Sequence, residues 1–221
     1  MSVSCRCLVL DHDDTSVMST PVLHYPSFIK ALELLRPERA SMSLEDFVRY
    51  NFEPGFAELC SDILCFTEEE RQVQYGIWLD YVKDKPSPFY PGFWDMLTAF
   101  KAQGGLITVV SHSEAEKILF DYRHAGDLLP DAVFGWDFDE AKRKPSPWPL
   151  QQIMERFHLH EDDLLVLDDL KQGLLMARAA GVRFACAGWS HVIPEMVEYM
   201  KGHSDYYFDT VASFACAIQL G

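Results

Sequence analysis

The sequence places acids where an apolar run stops. Leu8, Val9 and Leu10 lead into Asp11, Asp13 and Asp14, with only His12 among them. Two carboxylates about 4 Å apart repel by roughly 4 kcal/mol at an effective dielectric near 20. A divalent cation is the first candidate to reward such crowding. A second acid pair, Asp168-Asp169, follows the apolar run 164–167, and Ser111 follows the run 106–110. Between them, Lys142, Arg143 and Lys144 precede a helical pattern. Acid, hydroxyl and acid at three strand ends, with a cation nearby, could bind a metal, transfer protons or attack an electrophile. Hydroxyl and ammonium would hold an anion.

These residues need a scaffold that brings the ends of separate apolar runs together. "LVL", "LITVV" (106–110), "AVFGW", "LLVL" (164–167), "VRFACAG" (182–188) and "YYF" read as strands, and helical patterns alternate with them from about residue 90 onward. Continuous apolar strands alternating with helices imply a parallel sheet covered on both faces, that is, an α/β core. In such sheets ligands bind beyond the carboxyl ends of the strands, where these acids and Ser111 fall. Residues 23–85 lack a convincing strand and read as helices, with Ser43 and Thr67 as caps, Asp46 following Ser43 and three glutamates following Thr67. The economical reading is a helical insert over one end of an α/β core.

Composition narrows the classes. Formal net charge is -15, from 34 acidic and 19 basic residues, which argues against nucleic-acid and acidic-membrane partners. A few local cations could still hold a small anion. The amino terminus lacks signal-peptide anatomy, and no apolar run approaches a membrane span. Six scattered cysteines fit buried, reduced thiols, so a cytoplasmic protein is expected.

In order and spacing, "DHDDT" (11–15), Ser111 in "VVSHS", Lys144 in "KPSP" and "DDLKQG" (168–173) resemble the four motifs of the haloacid dehalogenase-like hydrolase superfamily. The lead-in "PFYPGFWDMLTAFKAQGG" and the helix "MARAAGV" are similar too, so the resemblance covers nearly the whole chain. It implies a Rossmann-like parallel-sheet core with helices on both faces (1–19 and 87–221) and a small all-helical cap domain (20–86). It further implies a phosphatase acting on a small phosphorylated metabolite. Asp11 would be the nucleophile and Asp13 the general acid and base. Asp11, Asp13 (through its carbonyl) and Asp169 would hold Mg²⁺, with Asp168 supporting. Ser111 and Lys144 would bind the phosphoryl oxygens. Dehalogenating relatives lack an aspartate at the position of Asp13, so phosphate is the expected substrate group.

Each residue also has an ordinary reading. Asp11 and Asp13 could be turn acids, Ser111 a helix cap, Lys144 a solvated charge, and Asp168 a hydrogen-bond acceptor without metal contact. Strand alternation points His12 away from Asp11 and Asp13. Asp14 stands where many relatives have glycine and is expected to belong to the turn, pointing elsewhere. Candidate substrate contacts are His24 and Tyr25 near the hinge, Asn51 and Glu53 in an interhelical loop "YNFEPGF" where Phe52 could stack, and His112. A β-phosphoglucomutase-like transferase and an idle binding protein are the alternatives. No arginine occurs in "YNFEPGF", which disfavours the mutase.

Overall fold

The apolar runs become neighbouring strands. The computed structural model describes residues 2–221 and divides the chain into two units, Met1–Met18 with Pro88–Gly221, and Ser19–Ser87.

In the first unit, β2 (Cys7–Leu10), β3 (Leu106–Val110), β4 (Ala132–Phe134), β5 (Leu164–Asp168), β6 (Arg183–Ala187) and β7 (Tyr206–Phe208) form one sheet in the order β4-β3-β2-β5-β6-β7, all pairs parallel. Strands buried on both faces must be apolar throughout, as β2 and β5 are. The chain runs from β2 to β3 on one side and later to β5 on the other, so β2 lies at the topological switch point. Leu10 pairs with Val109 and with Leu167, which levels the three carboxyl ends.

Helices α5 (Phe93–Ala102) and α6 (Ala115–Ala125) cover this sheet with Phe93, Met96, Leu97 and Phe100, and with Ile118 and Tyr122. The spacing of three and four residues makes one apolar stripe per helix. Each fully buried side chain of this size stabilises the fold by about 1.5–3 kcal/mol. The helices α7 (Trp148–Phe157), α8 (Lys171–Ala180), α9 (Pro194–His203) and α10 (Val211–Ala217) complete the alternation.

Two features depart from the sequence reading. The strand expected over "LVL" spans Cys7–Leu10, and on the other side of Arg6 Val3–Cys5 forms a separate strand, β1. It pairs in parallel with an unanticipated strand after α10, β8 (Ile218–Leu220). Arg6 lies between the two strands, its side chain half exposed and 3.5 Å from Asp163. All six cysteines are free, but Cys65 and Cys216 are exposed, not buried as expected.

The second unit is helical: α1 (Tyr25–Leu35), α2 (Leu44–Phe52), the single turn α3 (Phe56–Glu58) and α4 (Glu68–Val82). Phe28, Leu32, Phe47, Leu59, Leu64 and Phe66 form its core. The Ser43 side chain accepts from Asp46 N–H, and Thr67 with Glu70 forms a reciprocal capping box. Arg36 ties the unit together, donating to the carbonyls of Leu35, Leu64 and Cys65 and to both oxygens of Glu70. Tyr50 to Phe52 are the end of α2 and not loop residues. Phe52 is buried and cannot stack on a ligand.

Candidate active site

Strand pairing carries Asp11 beyond the end of β2, where its N–H donates to Leu167 O at 2.9 Å. The chain then turns back on itself. Ser16 and Val17 N–H both donate to His12 O, and the Ser16 hydroxyl donates to Asp11 O at 2.7 Å. The turn holds Asp14 at φ 56°, a left-handed conformation that aspartate tolerates better than most residues.

The end of β3 delivers two hydroxyls. Ser111 and Ser113 are buried, and both donate to Asp13 Oδ2, Ser111 at 3.5 Å and Ser113 by a much shorter bond. Ser111 does not cap α6, because that helix begins only at Ala115 with Glu114 at its cap. Asp13 is half-buried, whereas Asp11, Asp168 and Asp169 are buried.

Lys144 joins the other strand ends. Its buried Nζ lies 2.7 Å from Asp11 Oδ1 and 2.7 Å from Asp168 Oδ2, so it is no solvated charge. Asp168 Oδ1 accepts from Leu170 N–H at 2.8 Å. A Cβ on Gly173 would lie 2.2 Å from Asp168 Oδ2, so only glycine lets α8 start this close to the carboxylate. Burial pushes the Asp11 and Asp168 carboxyls upward, against the pull of Lys144, and neighbouring acids add to the push. Burial works against the Lys144 charge, but Asp11 and Asp168 raise it above its ordinary value.

Asp11, Asp168 and Asp169 each present a carboxylate oxygen within 4.8 Å of the others. Lys144 bonds to two of these three buried carboxylates, and an all-oxygen donor set suits a hard cation such as Mg²⁺. The residues therefore fit that group.

Four neighbours lie outside the expected set of site residues. Thr15 donates to Asp169 Oδ1 at 2.9 Å, and His191 Nε2 lies 2.6 Å from Asp169 Oδ2. Burial disfavours the His191 charge, yet Asp169 and Asp14 raise it above its usual value. Asp14 is buried and does not point elsewhere: it has a carboxylate oxygen within 4.8 Å of ligand atoms of Asp169 and His191. Ser113 is the fourth. Thr15 and Ser113 are within two residues of candidates, and His191 follows β6, so the strand-end rule would have found it.

His112 is exposed and donates from Nε2 to Lys144 O at 2.9 Å. Surrounding protein and the Lys144 charge push it down to about 4. Within the helical unit, His24 Nδ1 accepts from Trp78 Nε1 at 2.9 Å, Tyr25 OH donates to Met42 O, and Asn51 Nδ2 donates to Phe47 O. Glu53 is exposed beyond the end of α2.

Comparison with known proteins identifies the family. The family model for haloacid dehalogenase-like hydrolases matches residues 14–187, and the chain belongs to that family. A phosphoglycolate phosphatase of Nitrosospira multiformis is 33% identical over 122 residues, 54% of this chain and 49% of that one. An enolase-phosphatase E1 of Serratia proteamaculans is 39% identical over 137 residues, 56% of this chain and 58% of that one. The chain thus spans about half the length of the curated relatives it matches. Among solved structures, a predicted phosphoglycolate phosphatase from Haemophilus somnus superposes with TM-score 0.75 at 23% identity, covering 95% of this chain and 96% of that one. CbbY from Rhodobacter sphaeroides, in complex with phosphate, has TM-score 0.70 at 16% identity, covering 95% and 96%. Among the described residues, no helix is long and apolar enough to cross a membrane.

Proposed function

We propose that this chain is a Mg²⁺-dependent phosphatase of small phosphorylated metabolites, working through an aspartyl-phosphate on Asp11. The observation that carries this reading is the separation of two carboxylates two residues apart. Asp11 is buried against Lys144, while Asp13 is half-buried against Ser111 and Ser113. Different surroundings suit them to different roles, nucleophile and proton carrier.

In the first step an Asp11 oxygen bonds to phosphorus as the ester oxygen departs, and protonated Asp13 delivers its proton to that oxygen. In the second, Asp13 takes a proton from water, the water oxygen bonds to phosphorus, and the bond from Asp11 to phosphorus breaks. Inorganic phosphate and the original carboxylate result. Lys144 orients Asp11 and, with Ser111, stabilises the phosphoryl oxygens. Asp11 and Asp169 through carboxylates, and Asp13 through its carbonyl, would hold Mg²⁺, with Asp168 supporting. The bound ion would supply charge neutralisation at the phosphoryl group.

Phosphatases among the relatives support a small phosphorylated substrate. We assign selection of the leaving group to the helical unit, as a cap domain in which Glu53 is the exposed polar candidate. Six free thiols fit a cytoplasmic setting. The test is hydrolysis of 4-nitrophenyl phosphate and a panel of metabolite phosphates, with Mg²⁺ and with chelator. Wild type should turn over only with Mg²⁺, and Asp11→Asn should show no turnover. Equal inactivity of both across the panel would sink the reading.

A further inference from the structure

His12, lodged between the two proposed reacting acids, faces the opposite way. Its ring is fully buried, stacked near Tyr122 at 6.1 Å between centroids and edge-on to Phe89 at 6.4 Å. Its Nε2 lies 2.9 Å from Asp121 Oδ2 on α6, and Lys117, one turn earlier, holds the same carboxylate at 2.5 Å. Burial works against the Asp121 charge, yet His12 and Lys117 keep its carboxyl below the usual range. Ionised Asp121 can only accept, so Nε2 carries the hydrogen.

Packing alone does not account for this network. Apolar residues of similar volume in place of a buried ion pair are often neutral or stabilising. His12 Nδ1 and the Tyr122 hydroxyl, moreover, find no hydrogen-bond partner among the described residues. What the network does is geometric. Asp13 bonds forward to Ser111 and Ser113, and its neighbour His12 bonds backward to Asp121. All three partners belong to the single stretch from the end of β3 through α6, so two adjacent residues of one loop grip that same stretch at different points. His12 O also accepts from Ser16 and Val17 N–H, which closes the loop on itself.

The geometry points to His12, held by Asp121 and Lys117, as the positioning residue that locks the Asp11–Val17 loop in register with Ser111 and Ser113. This rests on the phosphatase reading for its kinetic consequence, but not for its structural one. Without the anchor the loop slides against β3, and Asp13 loses its alignment while the Lys144 cradle of Asp11 persists.

The experiment compares the full chain as wild type, His12→Leu and His12→Gln, whose amide nitrogen stands in for Nε2. The readouts are kcat and KM on 4-nitrophenyl phosphate with Mg²⁺, and amide hydrogen exchange of residues 12–17 in metal-free protein. The expectation for His12→Leu is a kcat about 10- to 100-fold lower, the range seen when groups orienting a metal site are removed. KM should stay within about threefold, and loop exchange should be about tenfold faster. His12→Gln should recover most of both. Should His12→Leu not fold, Lys117→Met with Asp121→Leu, an apolar replacement of the partner side, carries the same expectation. The proposal is overturned if kcat and exchange stay within about twofold of wild type, or if His12→Gln is as impaired as His12→Leu. If wild type hydrolyses no phosphate ester, the phosphatase reading fails. The exchange data then decide the positioning role by themselves, faster and Gln-rescued exchange upholding it and unchanged exchange overturning it.

Discussion

Lys144 Nζ and Asp11 Oδ1 lie 2.7 Å apart, both side chains buried, although 133 residues separate them in the chain. The pair makes it feasible to bury the Asp11 carboxylate beside two others, because one ammonium offsets part of their mutual repulsion. Lys144→Met should therefore act twice. In metal-free protein at neutral pH, urea unfolding should show a loss of about 3–5 kcal/mol, typical of leaving a buried partner uncompensated. Turnover with Mg²⁺ should fall at least about 100-fold. A variant as stable and active as wild type would remove Lys144 from the charge balance of the site.

Ser113 holds the Asp13 carboxylate more closely than Ser111 does. Ser113→Ala should lower kcat by about 10- to 100-fold, because an acid free to rotate transfers protons less efficiently. The melting temperature should change by only a few degrees, since one hydrogen bond is worth about 1 kcal/mol. Steady-state kinetics and a thermal scan on the same preparation separate the two effects.

Gly173 is required by space and not by backbone conformation, as Asp168 occupies the volume its side chain would need. Gly173→Ala should displace Asp168 from Lys144 and Leu170 N–H. Helix propensity favours alanine by about 0.8–1 kcal/mol, so a gain in stability would mean that Asp168 adjusts easily. The expected result is the reverse: lower stability by denaturant titration, and weaker Mg²⁺ dependence of turnover.

The helical unit should be acid-sensitive at Arg36–Glu70. The Arg36 guanidinium and Thr67 N–H hold the Glu70 carboxyl down from 4.5 to about 2. A depressed folded-state value means stability that is present above 4.5 and lost as pH falls from there towards 2. Glu70→Gln should be less stable than wild type at pH 6, and the gap in melting temperature should shrink steadily below pH 4.5. A gap that does not vary between pH 6 and pH 3 would assign the difference to packing.

Apolar runs, cap residues and strand-end acids were legible because each is a local pattern. β2, β3, β5 and β6 are short unbroken apolar segments, and a parallel sheet puts its chemistry at their carboxyl ends. Asp11, Asp13, Ser111 and the acid pair at 168–169 follow from that rule, and Thr67 with Glu70 from capping chemistry. The end of α2 reads as loop in the sequence because the turn residues of "YNFEPGF" follow directly on Phe52, and the pairing of β1 with β8 spans almost the whole chain.

What the sequence determined by itself, then, is the set of groups available at the strand ends and the alternation that must bring those ends together. Tertiary structure alone decided which group meets which. It gave Lys144 two carboxylates, turned Asp14 toward Asp169 and His191, and joined His12 to an aspartate 109 residues away. The physical reason is that electrostatic and hydrogen-bond energies depend on separations of a few ångströms. Those separations are set by strand register and helix packing, which no spacing along the chain records.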